Sequence, residues 1–85
     1  MSIVPIENWD RYAPLLCSSL GLHTPEACKR IRDIATNATE DDKQEIVFVL
    51  KDYKGHVHLS YKRLQGKEQI AITASKVQLG EQDTL

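Results

Sequence analysis

The chain has 85 residues, 41% of them hydrophobic and 27% charged, and its eleven Lys+Arg and twelve Asp+Glu leave a net charge of -1. Such a chain makes one small folded domain with a modest core. It is too apolar for a disordered segment and too neutral for a protein built to coat nucleic acid. Two cysteines, Cys17 and Cys28, are too few to staple a small secreted fold, and the longest apolar run, 46–50, is far short of a membrane span.

The opening Met1-Ser2-Ile3-Val4-Pro5-Ile6-Glu7 has neither a basic region nor a long apolar one. No secretory leader is expected, and the cytoplasm is the expected compartment. Ile6, Trp9, Ala13, Leu16 and Leu20 then recur at spacings of three and four, which predicts a helix over about 6–20. Pro14 interrupts it, because proline cannot donate to the carbonyl four residues back and disfavours helix at Ala13. The element therefore kinks at Pro14 or starts there. Gly21 can end it in the left-handed conformation.

A second helix is predicted from 25 to about 37. Thr24 can cap its first turn, Pro25 loses no hydrogen bond at the first position, and Glu26 complements the helix dipole. Ala27, Ile31, Ile34, Ala35 and Ala38 share one face of a 3.6-residue period. Only Gly21, Leu22 and His23 separate the two helices, so they pack as neighbours.

After the polar linker Thr39-Glu40-Asp41-Asp42 the pattern changes to three strands, at about 45–51, 56–64 and 67–77. Asp52-Tyr53-Lys54-Gly55 suits a four-residue hairpin loop with positive φ at Gly55, which sets Lys51 opposite His56. Gln65-Gly66 suits a two-residue loop, which sets Leu64 opposite Lys67. With these registers one face carries Ile46-Tyr61-Ile70, Phe48-Leu59-Ile72 and Leu50-Val57-Ala74, all apolar or aromatic. The other carries Val47-Ser60-Ala71, Val49-His58-Thr73 and Lys51-His56-Ser75. The expected fold is α+β: two N-terminal helices packed on one face of a three-stranded antiparallel β-meander, in the order ααβββ. Residues 80–85 are expected to be a frayed tail.

Chemistry is sparse. His56 and His58, at i and i+2 on a strand, could reach one metal ion, but their neighbours Lys51, Ser60, Thr73 and Ser75 do not complete a site. Cys17 and Cys28 fall on different helices without C-x-x-C spacing and read as small buried hydrophobes. Cys17 with His23 is the only local nucleophile–base pair, and nothing nearby suggests an oxyanion hole. Glu40, Asp41 and Asp42 lack the alternation and glycine of a calcium loop. No glycine-rich phosphate loop is present. The chain reads as a non-enzyme with no cofactor and no metal.

Two binding functions remain. The favoured one is a protein–protein interaction or regulatory module: an adaptor, inhibitor or immunity-type factor that associates with a protein partner or as a homodimer. The helices can cover only one sheet face. The other leaves Val47, Val49, His58, Ala71 and Thr73 with Lys51 as its one formal charge, and the third strand is an edge without a blocking lysine or proline. The alternative is nucleic-acid binding. Leu20-Gly21-Leu22-His23-Thr24-Pro25-Glu26-Ala27 resembles the turn of helix-turn-helix domains of the sigma-factor or response-regulator kind. That resemblance implies a recognition helix carrying Lys29, Arg30 and Arg32, and Lys54, Lys62 and Arg63 on the hairpin would add cationic contacts.

Overall fold

The computed structural model describes residues 1–50 and 54–78. Its elements are β1 (Ser2–Pro5), a single 3-10 turn (Ile6–Asn8), α1 (Trp9–Ser19), α2 (Pro25–Arg32), the one-turn α3 (Ile34–Asn37), β2 (Gln44–Val49), β3 (Gly55–Arg63) and β4 (Gln69–Gln78). The strands form one antiparallel sheet in the order β1-β4-β3-β2. The fold is thus α+β, with the helices on one face of the sheet. The expected three-stranded meander is corrected in one respect: a fourth strand, β1, precedes the helices and pairs with β4 from Ser2↔Ile72 to Pro5↔Gln69.

Both helices form largely where the pattern puts them. Pro14 lies inside α1, so the helix runs through it, and a 3-10 turn occupies the first residues of the predicted span. Gly21, at φ 74°, ends α1. The Leu22 N–H donates to the Cys17 carbonyl at 2.9 Å and the Gly21 N–H to Ser18 at 3.2 Å, the paired bonds of a glycine-terminated helix. Thr24 caps α2 by accepting from the Ala27 N–H at 3.2 Å. The predicted second helix is broken at Asp33, where ψ of -8° separates α2 from α3.

The sheet keeps the predicted faces but not the predicted rows. The structure pairs Ile46 with Leu59 and Tyr61 with Ile72, so each hairpin is displaced by two residues from expectation. A two-residue displacement preserves alternation, which is why the faces survive it. The second hairpin turns through four residues, 65–68, with Leu64 N–H bonded to the Gln69 carbonyl and Gly66 at φ 69°. In the first hairpin, Gly55 is already the first residue of β3, and His56 pairs with Val49 instead of the expected Lys51. The 80–85 tail lies outside the described residues.

The core lies between the inner sheet face and the helices. Trp9, Ile31, Ile34, Val57, Leu59 and Ile70 are its largest fully buried side chains. Trp9 ties the start of α1 to the end of α2: its indole N–H donates to the Ile31 carbonyl at 3.0 Å. Arg30 closes the β2 side of the core by laying its guanidinium 4.8 Å from the centre of the Phe48 ring.

Candidate interaction surface

Side chains that alternate with the core residues form the outer face. Strand pairing places Val47, His58 and Ser75 in one row, Glu45, Ser60 and Thr73 in the next, and Lys62 beside Ala71 and Ile3 in another. Val47, Val49, His58, Ala71 and Thr73 therefore do share this face. Val47 and His58 are direct neighbours, whereas Ala71 and Thr73 lie two strands away from β2. Val49 is 84% exposed and Val47 50%.

This face is less neutral than the sequence suggested. Glu45 and Lys62 both point to it, and Lys51, its expected lone charge, lies outside the described residues. The Glu45 carboxylate Oε1 is 3.1 Å from His58 Nε2. Glu45 lies four residues from Val49 along β2, and Val49 pairs with His56.

The edges also differ from expectation. The expected open edge of the last strand is covered by β1 over Gln69 to Ile72, and β1 itself ends in Pro5, a residue that blocks further pairing. β1 reaches no further than Ile72 of β4, and β2 is the edge at the other side of the sheet. β2 pairs only with β3 among the described residues, and its outward side chains are Glu45, Val47 and Val49.

The cationic residues of the alternative function are not gathered on one surface. Lys29 is ion-paired with Asp33 at 3.1 Å and Arg30 lies over Phe48. Lys62 points to the outer face, while Arg63, its neighbour in β3, points to the opposite one and bonds Glu68 at 2.7 Å. Lys54 is exposed beyond the start of β3.

Sequence reasoning missed a cleft of about 390 Å³ between α1 and α2, lined by Asp10, Pro14, Cys17, His23, Cys28 and Arg32 among others. Cys17 is buried and Cys28 half-buried, both as free thiols. The Cys17 thiol is pushed up from its ordinary 9.0 to about 11, first by burial and then by the hydrogen bond and charge of the Cys28 thiol beside it. The sequence does hold a signal for this pairing. Helices joined by a short turn are antiparallel neighbours, and each cysteine sits about one helical turn from that connection. Among the described residues no group of three or more His, Cys, Asp or Glu is placed to hold a metal ion. No helix among them is long and apolar enough to cross a membrane.

Compared with protein-family models, curated proteins and solved structures, the chain matches none of them.

Proposed function

We propose that this protein is a small protein–protein interaction or regulatory module, of the adaptor, inhibitor or immunity kind, that works through the β2 edge and the adjoining outer sheet face. The observation that carries the reading is the exposure of Val47 and Val49 on a strand whose outer backbone edge is unpaired among the described residues. A strand that adds to such an edge gains main-chain hydrogen bonds and removes those two valines from water.

The occupant we favour is a second copy, giving a homodimer about a two-fold axis. If two β2 strands pair antiparallel about Val47, each Glu45 faces the other copy's Val49. No like charges then oppose each other across the new ladder.

The test is sedimentation of the wild-type protein and two variants across concentration. Val49→Asp puts a charge into the contact and should leave the protein monomeric, with its circular dichroism and melting cooperativity unchanged. Thr73→Asp, two strands away, should weaken association much less. A wild-type protein that stays monomeric and takes no partner strand, or a dimer indifferent to Val49→Asp, would sink the reading.

A further inference from the structure

The cleft between α1 and α2 brings together the only two thiols of the chain, and neither has a part in the sheet surface. The glycine-terminated end of α1 sets this up. Its last bonds hold Leu22 against Cys17, and the Leu22 carbonyl lies 3.6 Å from the Cys28 sulfur. Cys17 and Cys28 thus line the same opening, one from each helix. Arg32, one turn beyond Cys28 on the same helix, lines the same opening.

We propose that Cys17 and Cys28 are a redox modification site, at which hydrogen peroxide converts the dithiol into a disulfide that ties α1 to α2. Cys28, the more accessible sulfur, reacts first. Its thiolate attacks one peroxide oxygen, an S–O bond forms, the O–O bond breaks, and the departing hydroxide takes a proton to leave as water. The Cys17 sulfur then attacks the Cys28 sulfenic acid. The S–S bond forms, the S–O bond breaks, and the leaving hydroxide takes the Cys17 proton as a second water. Two thiols and one peroxide become one disulfide and two waters, with the two electrons lost by sulfur gained by peroxide oxygen. The order follows from burial: a thiol held protonated to about 11 is a poor first nucleophile, and its place beside Cys28 suits it to the second step.

Intact-mass spectrometry and thiol titration of the folded, pre-reduced protein after excess hydrogen peroxide decide the matter. The wild type should lose both thiols and about 2 Da, remain free of intermolecular disulfides, and recover both thiols with dithiothreitol. Cys28→Ser should leave Cys17 unreacted. Cys17→Ser should trap Cys28 as the sulfenic acid, about 16 Da heavier and captured by dimedone. Wild-type protein that keeps its thiols, that gains oxygen without losing two hydrogens, or that links only between molecules would overturn the proposal. The wild-type measurement alone is decisive if Cys17→Ser fails to fold.

Discussion

The inner and outer faces of this sheet are made by alternate residues of the same strands, yet they are different materials. In β3 the contrast is clean: Val57, Leu59 and Tyr61 are buried, while His56, His58, Ser60 and Lys62 face outward and are half-exposed. In β2 it breaks down. Ile46 and Phe48 face the helices, and Val47 and Val49 are apolar on the open side as well. A strand apolar on both faces is normally one covered on both faces. Here it is an edge strand with one face uncovered, so Val47 and Val49 remain in water.

Truncating one side chain on each face should separate the two most strongly. Leu59 is fully buried on a central strand, so Leu59→Ala should cost about 2–5 kcal/mol by urea unfolding. Val49→Ala should stay within about 0.5 kcal/mol in the monomer, because it removes no buried contact. Equal costs would mean that the two faces have been misassigned.

Alkaline pH probes the covered side alone. The Cys17 thiol is held protonated to about 11 by burial and its Cys28 neighbour, and burial also raises Tyr61, with Arg30 working the other way. The folded chain therefore binds protons that the unfolded chain has released. This contribution to stability is complete below pH 9.0 and lost by about 11 for Cys17, with Tyr61 adding a loss of the same sign. On the order of 1–2 kcal/mol should disappear across that window, measured under reducing conditions. Cys17→Ala should flatten the decline, and an unchanged slope would show that the thiol does not titrate with folding.

A smaller effect is expected where the covered face reaches β2. Arg30 lies over the Phe48 ring, and Arg30→Ala should cost about 0.5–1 kcal/mol through the lost cation–π contact. Arg30→Lys should recover part of that, since a cation remains above the ring. A loss several times larger would mean that Arg30 holds the helix layer onto the sheet edge, beyond capping one ring.

Local signals made much of the fold legible. Thr24-Pro25-Glu26 and Gly21 specify the helix ends because their effects lie within one turn of themselves. The faces of β2, β3 and β4 survive an error in register because that error is even. The rows do not survive, because a glutamine–glycine step leaves open whether the chain turns in two residues or four, and the structure uses four. β1 was illegible for a different reason. Ser2-Ile3-Val4-Pro5 has a single buried residue, Val4, and finds its partner strand across the whole intervening chain with no turn to announce it. β1 also covers the start of the β4 edge, from Gln69 to Ile72. The thiol cleft is invisible to a C-x-x-C spacing rule, because a helical hairpin brings together two cysteines separated by ten residues in the chain.

The smallest effect tests the open face itself. Glu45 and His58 stand 3.1 Å apart, with their side chains 54% and 35% exposed. Water and salt screen such a pair, and holding both side chains in place costs rotamer freedom, so its net contribution should be about 0–0.5 kcal/mol. A double-mutant cycle of Glu45→Gln and His58→Ala, run on dilute protein at neutral pH, should return a coupling within that range. Raising the protein concentration should leave the coupling small if the pair stays wet at the rim of a β2 contact. It should grow if association covers the pair, because a hydrogen bond to a carboxylate strengthens when water is removed. A coupling above about 1 kcal/mol in the dilute monomer would contradict the assignment of this face to solvent. The same growth at high concentration, accompanied by loss of the Val49→Asp effect on association, would move the contact from the strand edge to the centre of the face.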